Sequence, residues 1–204
     1  MTTNISSARG RPRRFNPDEA VVTAQRLFHE KGYDAVSVAD LTKALGINPP
    51  SFYAAFGSKA GLYARILDRY AQTGAIPLTQ IFSAERPLAE ALAEVLVEAA
   101  RHYAADPGTT GCMVLEGTRS NDPEARDAAC GYHVAAQDLI REHIAARYPQ
   151  EADRLADFVS TTMAGLSASA RHGQSLERLL ATARLAGLGI AQALALDTAH
   201  DSKR

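Results

Sequence analysis

No stretch of this sequence is apolar for long enough to span a bilayer, so a membrane-spanning helix is not expected. Cysteine is scarce: Cys112 and Cys130 are the only two in 204 residues. Two cysteines do not build a disulfide framework in a chain of this length, which points to a reducing compartment, the cytoplasm. Internal repeats and low-complexity tracts are absent. Nucleophile–base and metal-ligand spacings are absent too. The histidines beyond residue 100 (His102, His133, His143, His172 and His200) form no H-E-x-x-H pair and no Cys/His zinc spacing. His102, Cys112 and His133 would meet at a metal only if separate elements converged, and ordinary core or surface histidines are the simpler reading. The expectation is therefore a non-enzymatic chain with no cofactor and no metal.

One-sided charge is also missing, since the net charge is −1. Its distribution is more informative. Residues 1–75 hold ten Lys/Arg against six Asp/Glu, and the remainder holds twelve against seventeen. A basic head on an acidic body fits a DNA-contacting unit joined to one that does not touch DNA. Residues 1–15 are Arg-rich and free of acids. Gly10 and Pro12 interrupt any amphipathic helix there, and no apolar signal core follows, so the segment reads as a flexible DNA-contacting arm. Within it, Arg9-Gly10-Arg11-Pro12 has the form of an AT-hook core, whose extended arginines enter a narrow A/T minor groove. A basic tail that meets only phosphates is the equal alternative.

What is present is most telling between Val36 and Tyr70. Asn16-Pro17-Asp18-Glu19 starts a first helix, with Ala20, Ala24, Leu27 and Phe28 inward and Gly32 at its end. Ser37 caps a second helix, whose Val38, Leu41 and Leu45 share a face and whose stop is Gly46. Asn48-Pro49-Pro50 starts a third, short helix with Phe52 and Phe56 inward. Ser58 caps a fourth, with Leu62, Tyr63, Ile66, Leu67 and Tyr70 inward. Two short helices joined by a glycine turn, the second carrying small and polar tips, have the form of a helix-turn-helix rather than of an ordinary bundle.

On these residues, 18–70 resemble the N-terminal domain of the TetR (tetracycline-repressor-like) family of bacterial transcription regulators. The matching positions are Ala24, Phe28, Gly32, Tyr33, Ser37, Leu41, Ala44, Gly46, Ile47, Phe52, Tyr53, Phe56, Lys59, Leu62 and Tyr63. The resemblance implies a homodimeric DNA binder with a ligand-responsive C-terminal domain. One departure is Pro49-Pro50, where many members carry other small or polar residues. On this reading Asn48, Pro50 and Ser51 face base edges, while Ser37, Thr42, Tyr53 and Lys59 hold phosphates, with Arg9 and Arg11 in the arm.

After Thr73 the pattern loosens through Gly74, Pro77 and residues 83–87, which read as a connector. A helix follows from about Pro87 to Ala105, then a short apolar helix around 111–115 and a long one from Asp122-Pro123 to about Tyr148. The last two helices, about 151–172 and 175–196, are rich in small residues, and the final one is apolar nearly all round. Such a helix must be buried. A partner subunit is the natural cover, giving a two-fold four-helix bundle; burial inside a monomer core is the alternative. Tyr103, Met113, Tyr132, His133 and Phe158 are candidate pocket linings. Aromatic residues at helical spacing are more often plain core, and it is the family resemblance that implies a pocket there. Cys112 reads as a small buried hydrophobe, with a redox or electrophile sensor as the alternative.

The expected fold is all-α. It comprises a flexible arm (1–15), a three-helix helix-turn-helix domain (16–75) and a C-terminal helical bundle for effector binding and dimerisation (76–204). The expected function is a ligand-responsive repressor that binds a pseudo-palindromic operator as a homodimer, with a small-molecule effector of unstated identity. An effector-independent architectural DNA-binding protein is the alternative.

Overall fold

The computed structural model describes residues 15–201, with side chains through 195, so the expectations on Arg9 and Arg11 lie outside the described residues. Those residues form ten α-helices and one 3-10 turn. Helix α1 (Pro17–Lys31) starts where the Asn16 side chain accepts from the Asp18 N–H. Helix α2 (Val38–Leu45) opens on a complete capping box between Ser37 and Asp40. It closes at Gly46, whose φ of 66° is left-handed, a conformation glycine adopts without the Cβ clash of other residues. That turn aims α3 (Pro49–Phe56) across α2. Helices α3 and α4 (Lys59–Thr73) begin at Asn48 and Ser58, whose side chains accept the N–H of Ser51 and Gly61. Phe28, Leu41, Phe52, Leu62, Tyr63, Ile66 and Leu67 fill the core between these four helices.

This head core does not close on itself: Met113, Ala125 and Ala129, all from beyond residue 75, pack into it. The body comprises α5 (Leu78–Ser83), α6 (Leu88–Tyr103), α7 (Met113–Gly117), α8 (Pro123–Ala145), the 3-10 turn Pro149–Glu151, α9 (Ala152–Arg171) and α10 (Leu176–Asp201). Helix α6 runs through its middle with α9 and α10 alongside, and α8 bridges α9 to α4. Helix α5 occupies a stretch expected as connector. Its Leu78 and Ile81 sit at i, i+3 against the body core, and six residues are too few for a periodic pattern to stand out. No helix among the described residues is long and apolar enough to cross a membrane.

Helix α10 divides into two faces. Leu179, Ala183, Ile190 and Leu194 are buried in the body core. Gly187 belongs to this inner face: a Cβ there would come within 2.9 Å of the Ala93 Cβ on α6. The opposite face leaves Leu185 71% and Leu188 69% exposed. The all-round apolar pattern thus reflects one face covered within the chain and one left uncovered. On α9, Phe158, Thr161 and Gly165 also stand outward at i, i+3, i+7.

Candidate nucleic-acid interface and body cavity

The outer surface of the helix-turn-helix is formed by the tip of α3. Asn48, Pro49, Pro50, Tyr53 and Ala54 are exposed and Ser51 is half-buried, while Phe52 and Phe56 anchor the helix from beneath. Tyr53 is 50% exposed, and its hydroxyl makes no hydrogen bond among the described residues. The Asn48 carbonyl oxygen is occupied as the cap, which leaves its amide N–H groups free to donate outward. Lys43, exposed in the last turn of α2, adds a cation beside this surface that the motif reading did not single out. Its signal was an unpaired base on the outer face of the first motif helix.

Three other positions from the sequence reading are turned to structural work. The Ser37 hydroxyl accepts from the Asp40 N–H and donates to the Asp40 carboxylate. Thr42 is 8% exposed, and its hydroxyl donates to the Ala39 carbonyl. Lys59 donates from Nζ to the carbonyls of Tyr33 and Val36 at 3.1 and 3.0 Å, with the Tyr33 ring centroid 3.9 Å away. Two of its three donors are thus spent on tying α4 to the α1–α2 loop.

The head is fastened to the body along two lines. On one, the Tyr33 hydroxyl donates to Asp122 at 2.6 Å, and Asp34 accepts from the Ser120 hydroxyl and the Asn121 N–H, each at 3.0 Å. On the other, buried His29 meets the Gly111 carbonyl, and Arg171 donates to the His29 carbonyl at 3.1 Å while pairing with Glu116. Desolvation by burial lowers the His29 pKa, and the Arg171 charge acts in the same direction. Tyr132 on α8 donates to Asp68 on α4, a bond that pushes its phenol pKa up to about 12.

A cavity of about 170 Å³ lies beside this second line, between α4, α6, α7, α8, α9 and the first residue of α5. Of the five candidate linings, Tyr103, Tyr132 and His133 border it; Met113 and Phe158 do not. Met113 is 2% exposed and points into the head core, while Phe158 is 44% exposed on the outer face of α9. Tyr70, Cys112, Ala136, Gln137, Ile140, Ser160 and Met163 are also part of the wall. Spacing marks Tyr70, Tyr103, Tyr132 and Ile140 as inward-facing but does not reveal that a void lies in front of them. The Tyr70 hydroxyl donates to Cys112 Sγ at 3.8 Å. Burial pushes the Cys112 thiol up, away from the thiolate that a reactive cysteine needs.

A family model described as "Bacterial regulatory proteins, tetR family" matches residues 21–66. The "HTH-type transcriptional repressor BdcR" of Escherichia coli (strain K12) is 56% identical over 190 residues, covering 93% of this chain and 96% of that protein. The "HTH-type transcriptional repressor ComR" of the same organism is 32% identical over 190 residues, covering 88% of this chain and 90% of that one. Among solved structures, a cysteine mutant of the TetR family transcriptional regulator CifR, complexed with 26 bp double-strand operator DNA, superposes with a TM-score of 0.78. It shares 33% identity and covers 87% of this chain and 98% of that one.

Proposed function

The chain belongs to the TetR family of bacterial regulatory proteins, and from that premise we propose that it works as a homodimer whose two heads read a pseudo-palindromic operator and whose body answers to a small effector. As a helix-turn-helix transcriptional repressor it acts by occupying DNA. The observation that carries the reading is the α2–α3 unit: a short helix with its aromatic side buried and its Asn48, Pro50, Ser51 and Tyr53 side presented outward. Asn48, Pro50 and Ser51 are assigned to base edges and Tyr53 and Lys43 to phosphates. Ser37, Thr42 and Lys59 hold the unit in shape, with the remaining Lys59 donor and the Ser37–Asp40 cap near the backbone path. The uncovered Leu185/Leu188 face of α10 and the Phe158 face of α9 supply the seam between copies.

Two such heads, about 34–36 Å apart, enter successive major grooves. An effector in the body cavity releases DNA only by binding more tightly to a dimer whose heads are spaced differently. The cavity adjoins α4, which also carries the head, and this favours the effector-responsive reading over a purely architectural one. The test is selection of bound DNA from a random pool by the full-length protein. Two inverted half-sites one helical turn apart are expected; a single asymmetric site would overturn the dimeric operator reading.

A further inference from the structure

We propose that the body cavity takes a small uncharged molecule: an apolar part of about the size of benzene, carrying one hydrogen-bonding group that is read by His133, Gln137 and Ser160. This rests on the effector-responsive reading above and names the chemistry of its ligand.

The wall excludes ions. No Lys, Arg, Asp or Glu lines the inner chamber. An ion placed there would lose its hydration with no opposite charge to replace it. Cys112 also faces the chamber uncharged, because burial raises its pKa. The chamber's volume, about 170 Å³, is close to the roughly 150 Å³ of an engineered cavity known to hold benzene.

The tyrosine hydroxyls of the inner wall are already spent. Those of Tyr70 and Tyr103 are turned to Cys112 Sγ, and that of Tyr132 to Asp68. An occupant therefore meets an apolar surface in depth. The neck is different. His133, Gln137 and Ser160 border both the inner chamber and a second, more polar hollow that reaches Glu116 and Arg119. His133 and Gln137 stand one turn apart on α8, with Ser160 across from them on α9. Their side-chain donors and acceptors make no hydrogen bond among the described residues. A hydroxyl or carbonyl on the ligand would pair with them at the point where the apolar chamber ends. Beyond the neck one acid and one base face the hollow together, so no net charge there selects an ion.

The test uses full-length protein and three probes of one shape: benzyl alcohol, benzoate and benzylamine, titrated by calorimetry at neutral pH. Benzyl alcohol should bind at least about tenfold more tightly than either charged probe. Ala136→Phe, which fills the chamber, should abolish that binding. His133→Leu/Gln137→Leu should weaken benzyl alcohol about tenfold while leaving toluene unchanged. Because Ala136→Phe is at risk of misfolding, crystals of the wild-type protein soaked in 4-bromobenzyl alcohol provide a second measurement, with the bromine expected in the chamber. Failure of benzyl alcohol to bind, equal binding of a charged probe, or bromine bound elsewhere would each overturn the proposal. Operator release is scored separately. Binding without release supports the ligand class and refutes the effector-responsive reading, whereas release by all three probes alike refutes the ligand class.

Discussion

The Nε2 atom of His29, in the last turn of α1, lies 3.1 Å from the carbonyl oxygen of Gly111 in the body. Because the partner is an acceptor, Nε2 must carry the hydrogen. The next residue, Cys112, forms part of the cavity wall. One peptide unit therefore touches the DNA-binding head on one side and the cavity on the other.

This contact carries a pH dependence. Burial first, and then the Arg171 charge, lower the His29 pKa below the usual histidine value. The unfolded chain then takes up a proton more readily than the folded one. The stability that neutral His29 contributes is complete above the ordinary histidine pKa of about 6.5 and is lost as pH falls below it toward the folded pKa. His143 is lowered by burial in the same direction and adds to the effect. Thermal melts at pH 8 and pH 5.5 should show a drop for wild type and a smaller drop for His29→Gln. Equal drops in both proteins would remove His29 as a contributor.

Lys59 and Tyr53 should separate structure from DNA contact. Lys59→Ala leaves the Tyr33 and Val36 carbonyls without their charged donor, so a loss of about 1–3 kcal/mol in urea unfolding is expected. Its effect on the salt dependence of DNA affinity should be smaller than one unit of slope, since most of its donors are turned inward. Tyr53→Phe should leave stability unchanged within about 0.5 kcal/mol and weaken binding to specific and unrelated DNA alike. The reverse pattern would exchange the two assignments.

At the proposed seam, Leu185→Glu/Leu188→Glu should give a folded monomer by sedimentation, with operator affinity collapsing because each head alone binds weakly. Gly187→Glu should behave differently. It forces a side chain and a charge against Ala93 of the same chain, so it should unfold the body, at a cost of more than about 3 kcal/mol. A Leu185→Glu/Leu188→Glu protein still dimeric at micromolar concentration would place the seam elsewhere.

The arm is tested by deleting residues 1–12 and comparing two operators with identical half-sites and either A/T or G/C flanks. Groove reading by Arg9 and Arg11 predicts a deletion penalty larger by more than about 1 kcal/mol on A/T flanks, where the groove is narrow and its potential deep. Equal penalties would mean that the arm meets only phosphates.

Local chemistry in the sequence determined where helices begin and end. Asn16, Ser37, Asn48, Ser58 and Asp122 cap their helices through bonds that span two or three residues, and such bonds need no tertiary partner. The same is true of the Gly46 turn, and together these features made the helix-turn-helix legible. Periodicity also showed which residues turn inward, but not what they turn toward. Only the tertiary structure sent Met113 into the head core, left Phe158 on the outer face of α9, set Gly187 against Ala93 and drew Lys59 onto two carbonyls twenty-odd residues upstream. The cavity is the clearest case. It is the space left where six helices meet, so its shape depends on how they pack against one another, and no single helix encodes that in its own pattern.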